Sequence, residues 1–112
     1  MIYNEGVPEI VVLRLVWEER NLTHLWQRHQ MTRELVEEVC YGNPEHLHIE
    51  DSYEGRQLLT GPMRDGRLLA IVISTTHEGK PYGPGTYYVV SARMASIKER
   101  STYRAWKAEK TR

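Results

Sequence analysis

With 112 residues, the chain has room for one ordinary domain, which excludes two independent cores. Its 15 basic and 15 acidic side chains cancel, which argues against tight non-specific binding to nucleic acid, a process that depends on many phosphate contacts. Cys40 is the only cysteine, so an internal disulfide and a four-cysteine zinc site are both excluded.

A reducing compartment fits that cysteine usage. The first residues show no basic region followed by an apolar stretch, and the longest apolar run, 68–73, is too short to span a bilayer. The expectation is a soluble, cytoplasmic protein without a membrane segment. Charge is unevenly spread, however. Residues 1–56 hold 5 basic and 11 acidic side chains, whereas residues 57–112 hold 10 and 4. Such asymmetry can mark a polyanion-binding face on the later half, or simply acids on helices and arginines at strand ends.

In chain order, residues 1–9 are polar, with Gly6 and Pro8, and read as a loose leader to a single domain over 10–112. Residues 10–17 are rich in β-branched side chains and predict a first strand. Glu18 and Glu19 open a helix in which Leu22, Leu25, Trp26 and His29 share one face, and Trp17 and Trp26 are expected in the core. Thr32 is placed to cap a second helix running to Tyr41, with Leu35, Val36, Val39 and Cys40 as its apolar stripe. Gly42, Asn43 and Pro44 end it.

The pattern then turns to strands at 47–52 and 56–61. An Asp65-Gly66 turn signal precedes residues 68–73, which are apolar on both faces as a central strand would be. Three glycines and two prolines make 76–85 a loop. Residues 86–92 form a further strand, where strict alternation puts Tyr87, Val89, Ser91 and Arg93 on one face and Tyr88, Val90 and Ala92 on the other. Ser96 and Glu99 form a capping box for a last helix to about Lys107, with Ile97, Arg100, Tyr103 and Trp106 spaced to meet the sheet. The fold class is therefore α+β: strand, two helices, an antiparallel meander of three to four strands, and a C-terminal helix.

For chemistry, negatives come first. His46 and His48 point the same way on a strand but give only two ligands, and His24 and His29 lie about 140° apart on a helix. No metal and no cofactor are expected. Cys40 on an apolar stripe reads as a small buried hydrophobe. Nucleophile elbow, phosphate loop and dinucleotide fingerprint are all missing. What remains is a set of arginines at strand ends, Arg56, Arg67 and Arg93, with Arg100 one turn into the last helix. Pairing across the Asp-Gly turn is expected to bring Arg56 and Arg67 to one sheet region. Guanidinium forks suit phosphate, and His24, His29 and Tyr103 are proton carriers for cleaving a phosphodiester without metal. Ser91, on the face of Arg93, can donate to a phosphate oxygen. Solvated arginines paired with the acidic helices are the alternative.

Trp17-Glu18, Asn21, His24-Leu25, His29-x-Met31-Thr32 and residues 34–39 resemble the N-terminal half of BrnT-type toxins. Gly55-Arg56, Gly61, residues 65–69, the block from Tyr88 to Arg93 with Ala95, and Lys98-Glu99-Arg100 with Tyr103 are similar to its later half. Gln30 stands where that pattern has glycine after the second histidine. The resemblance implies a RelE-like fold and a metal-independent ribonuclease that arrests translation. On the chemistry of the arginine set and its proton carriers, His24, Arg67, Arg93 and Tyr103 are the expected catalytic residues, and Arg56, Ser91 and Arg100 the substrate-binding ones. The resemblance also implies an RNA substrate and a BrnA-like ribbon–helix–helix antitoxin, with a homodimer or a two-plus-two complex. A catalytically silent binding module of the same fold is the rival reading. DNA binding through the basic last helix is a third, opposed by the neutral charge.

Overall fold

The computed structural model describes residues 10–110, so the expected leader over 1–9 lies outside the described residues. Ile10, Val12 and Leu15 are buried while Val11 and Leu13 face water, the alternation of an extended segment. Only Arg14–Val16 is a strand, β1, shorter than expected, because its partner begins late. The N–H groups of Leu13 and Arg14 both donate to the Gly85 carbonyl, and parallel pairing starts at Arg14 with Thr86.

Two helices follow, α1 (Glu19–His29) and α2 (Arg33–Cys40). Thr32 Oγ1 accepts the Leu35 N–H at 3.2 Å, the expected cap. Between the helices Gln30 takes φ 54 and ψ 35, the left-handed conformation that glycine adopts without a steric penalty. Only Leu25 of α1 is buried. Trp26, expected in the core, is 52% exposed because the helix touches the sheet along a narrow seam. Trp17 is half-buried, its indole N–H donating to Glu37 at 3.2 Å.

After a short turn at Pro44–His46 come β2 (His48–Asp51), β3 (Arg56–Pro62) and β4 (Leu68–Ser74), successively antiparallel. The segment read as a loop contains a small hairpin, β5 (Thr76–His77) and β6 (Lys80–Pro81). Its two linking residues, Glu78 and Gly79, have φ 53 and 77, as a tight two-residue turn requires. β7 (Thr86–Met94) and α3 (Ile97–Lys110) complete the chain. The capping box forms, with Ser96 N–H on Glu99 Oε1 at 2.8 Å and Glu99 N–H on Ser96 Oγ at 3.1 Å. Ile97, expected against the sheet, is 77% exposed, since α3 meets the sheet only from its second turn.

The sheet order is β1-β7-β4-β3-β2, with β1 parallel to β7 and the rest antiparallel. On one face, α1 and α2 cover Leu59, Leu69, Ile71, Ile73, Val89 and Ala92. On the other, α3 covers Leu68, Ala70 and Leu58 through Tyr103 and Trp106. β4 is buried from both sides, as its unbroken apolar run predicts. Each fully buried aliphatic side chain contributes roughly 1.5–3 kcal/mol.

β7 departs from strict alternation. Ile73 pairs with Val89 but Val72 pairs with Ser91, so Val90 is an extra residue, a β-bulge. Val89 and Ala92 therefore share the core face, while Tyr88 joins Ser91 and Arg93 on the other, correcting the expected partition.

Two stability predictions follow from close contacts. A Cβ at Gly61 would lie 2.6 Å from Leu47 Cδ2 and 2.9 Å from Val39 Cγ1, both buried. Gly61→Ala is expected to cost about 1–3 kcal/mol, seen as a lower denaturation midpoint. Gln30→Gly is expected to leave stability unchanged or raise it by up to about 1 kcal/mol, by removing left-handed strain. The same denaturant melt reads both.

Candidate active site

α3 shields only part of its sheet face, and the strand register decides what stands in the open remainder. Arg56 of β3 pairs with Ser74 of β4, and Ser74 pairs with Tyr88 of β7, so these three side chains form a row across adjacent strands. At about 4.8 Å per strand, the outer members are roughly 10 Å apart. Val16 of β1 continues the row, and two residues later the chain delivers Glu18 beside Tyr88. The β5–β6 hairpin folds His77 over the same place. Arg56, Ser74, His77 and Tyr88, with Glu54, Thr76, Glu78 and Val90, line a cleft of about 200 Å³, and Glu18 borders it through its bonds to His77 and Tyr88.

The polar network in this cleft is tight. Tyr88 donates its hydroxyl to Glu18 Oε1 at 2.9 Å, and His77 Nε2 lies 3.0 Å from Glu18 Oε2. The His77 ring stacks on Tyr88 with centroids 3.8 Å apart and planes 13° from parallel. Hydrogen bonds from Tyr88 and His77 hold the Glu18 carboxyl below the usual carboxylate range. An ionised carboxylate only accepts, so the bonded His77 Nε2 carries the hydrogen. Burial, aided by Glu18, pushes the Tyr88 hydroxyl up, so it stays protonated and donates. Asn21 Nδ2 donates to the Val89 carbonyl at 2.9 Å and pins the start of α1 to β7.

The arginines differ in what they face. Arg93 forms a bidentate pair with Glu99 at 2.6 and 2.8 Å. Arg67 is paired with Asp65 at 2.8 Å. Arg100 donates to the Ala95 carbonyl at 2.9 Å. Among the described residues, Arg56 has no carboxylate within ion-pair distance. Arg56 and Arg67 are not neighbours either. They sit at opposite ends of the β3–β4 ladder, seven residue steps or about 23 Å apart. Arg67 and Arg100 do meet, with Arg104, around a separate cleft of about 490 Å³.

The other expected site residues are dispersed. His24 is exposed on α1, on the opposite side of the sheet from the cleft. Ser91 faces the open side, half-buried, opposite Val72. Tyr103 is 7% exposed and donates its hydroxyl to the His46 carbonyl at 2.7 Å. Cys40 is 1% exposed, and burial pushes its thiol up to about 12, far from a reactive thiolate. Sequence reading passed over Glu18, His77 and Tyr88 as a set. They lie 59 and 70 residues apart, and no short motif signals their meeting.

No family model and no curated protein match the sequence. Among solved structures, the chain is similar to the crystal structure of the Brucella abortus ribonuclease toxin BrnT. The TM-score is 0.56 and the identity 17%, over 76% of this chain and 99% of that one. The fold is BrnT-like. The α+β order expected from the sequence, strand, two helices, antiparallel meander and C-terminal helix, is found, and the structure arranges it as a five-stranded sheet with helices on both faces.

Within this BrnT-like fold the Arg93–Glu99 pair joins the end of β7 to the first turn of α3. The Arg93 guanidinium and the Ser96 N–H hold the Glu99 carboxyl down from 4.5 to about 2. A depressed carboxylate stabilises above its unfolded pKa and loses that contribution as pH falls toward its folded one. Glu99→Gln is therefore expected to lose roughly 1–2 kcal/mol at neutral pH, after discounting for the partly exposed Arg93. The deficit should shrink between pH 4.5 and about 2, as parallel melts of variant and wild type will read.

Proposed function

We propose that this chain is the toxin component of a type II toxin–antitoxin pair, a metal-independent ribonuclease whose reaction centre is the Glu18–His77–Arg56 cleft. The observation that carries this reading is that Arg56, with no carboxylate within ion-pair distance, lines one cleft with His77, whose Nε2 is bonded to Glu18. The BrnT-like fold and the ordered motif resemblance support it.

The chemistry needs three roles. Arg56 holds the non-bridging oxygens of the scissile phosphate and offsets the charge that grows on them. Glu18 takes the proton from the ribose 2′-hydroxyl as its oxygen bonds to phosphorus. The bond from phosphorus to the 5′-oxygen breaks, and His77 gives that oxygen its proton. The products are a 2′,3′-cyclic phosphate and a free 5′-hydroxyl. Tyr88 positions both partners, stacking on His77 and donating to Glu18. Arg100 and Arg104, in the cleft at the far end of the same ladder, offer cations for the flanking RNA backbone. The partner in this reading is a BrnA-like ribbon–helix–helix antitoxin, in a two-plus-two complex that silences the toxin in the cytoplasm.

A silent binding module of the same fold is the second reading. The observation favouring it is that Arg67 and Arg93 are each neutralised by a carboxylate. One experiment separates the two. Purified protein is incubated with RNA in the presence of a chelator, and the fragment ends are analysed. Cleavage with cyclic-phosphate ends is expected. Arg56→Ala should slow it by about 10²–10³-fold and His77→Ala by about 10²–10⁴-fold. An inert wild type, or an Arg56→Ala protein as active as wild type, would refute this centre.

A further inference from the structure

Glu18, His77 and Glu78 each offer one ligand atom, and these atoms all lie within 4.8 Å of one another. We infer that this triad is a binding site for one divalent cation of the zinc class. His77 Nε2 is 3.0 Å from Glu18 Oε2 and 3.8 Å from Glu78 Oε2. A zinc ion with ligand bonds near 2.0–2.2 Å sets tetrahedral ligands about 3.3–3.6 Å apart. The three atoms bracket that spacing, so an ion needs only small side-chain adjustments. One imidazole nitrogen with two carboxylates selects zinc or a neighbouring transition metal over magnesium or calcium, which prefer all-oxygen shells. The two carboxylates supply two negative charges against the ion's two positive ones.

The surroundings support the ligands. Tyr88 binds Oε1 of Glu18, leaving Oε2 for the ion, and its ring fixes the plane of His77. His77 and Glu78 adjoin each other in the tight β5–β6 turn, and Glu78 is 73% exposed, so ions enter from solvent past it. Arg20, 3.4 Å from Glu18 Oε1, opposes the cation, but it is 78% exposed and free to swing into water. Three protein ligands leave a fourth position for water. Bound there, the ion ties the hairpin to the start of α1.

The ion takes a Glu18 lone pair and displaces the hydrogen from His77 Nε2, the two groups to which the ribonuclease reading assigns proton transfer, so metal occupancy and RNA cleavage exclude each other. That consequence rests on the proposed function, whereas the binding itself does not. The test is calorimetric titration of the metal-stripped full chain with zinc chloride. One zinc per chain is expected at this site. Glu78→Gln and His77→Ala should each weaken binding at least 10-fold, while His46→Ala, remote from the triad, leaves it unchanged. No saturable binding, or binding that survives both triad variants, overturns the site. In the RNA assay without chelator, zinc should abolish wild-type cleavage. Measured against its own zinc-free rate, Glu78→Gln should require at least 10-fold more zinc than wild type for half-inhibition. A chain that binds zinc through the triad but never cleaves RNA refutes the ribonuclease reading and leaves the ion site standing. Cleavage indifferent to zinc that calorimetry shows bound through the triad refutes the triad as the reaction centre and leaves the ion site standing.

Discussion

The extra residue in β7 is the constraint on which the rest of the molecule turns. β7 is hydrogen-bonded to β1 on one side and β4 on the other, so its side-chain directions are fixed by two ladders. Without the bulge at Val90, a strand that buries Val89 would send Ala92 to the open face and force Arg93 toward the aliphatic core. Desolvating an unpaired guanidinium costs far more than a local kink in the ladder. The bulge lets Val89 and Ala92 both pack under α1 and α2 while Tyr88 and Arg93 face the other way. Tyr88 can then meet Glu18 and His77, and Arg93 can meet Glu99. Core and cleft share one cause.

Charge pairing sorts the arginines by a similar logic. The basic second half does not become a single polyanion face, because its cations are answered locally. Arg67 turns to Asp65 within its own turn, Arg93 to the capping-box glutamate, and Arg64 to Glu38 on α2. Lys107 and Lys110 lean on the Glu45 carbonyl oxygen. Bidentate pairing with a carboxylate occupies the fork that a phosphate would need. Arg56 escapes this fate because it begins β3 at the ladder end remote from the Asp-Gly turn, beside Ser74 rather than an acid.

Much of the fold was legible in local pattern. Thr32 caps α2, Ser96 and Glu99 cap α3, Asp65-Gly66 turns the chain, and the apolar run after it fills the centre of the sheet. Those features depend on neighbours within a few residues, where spacing and chemistry suffice. Errors arose where burial is decided at long range. Trp26 and Ile97 have the right periodicity for a core but meet no partner surface, and the β5–β6 hairpin hides in a glycine- and proline-rich stretch. Gln30 in a left-handed position explains a departure visible in the sequence, since the BrnT-type pattern puts glycine there.

By itself, the sequence determined the order of elements, the caps and turns, the central strand and the presence of arginines suited to phosphate. Each follows from torsional preference, alternation or side-chain chemistry acting over one or two turns of chain. Only the tertiary structure decided that Arg56 stays clear of any carboxylate and that a glutamate, a histidine and a tyrosine from three distant segments join in one hydrogen-bonded and stacked group. Strand register and a single inserted residue set those outcomes. Both are products of pairing across the sheet, which no local stretch of sequence encodes.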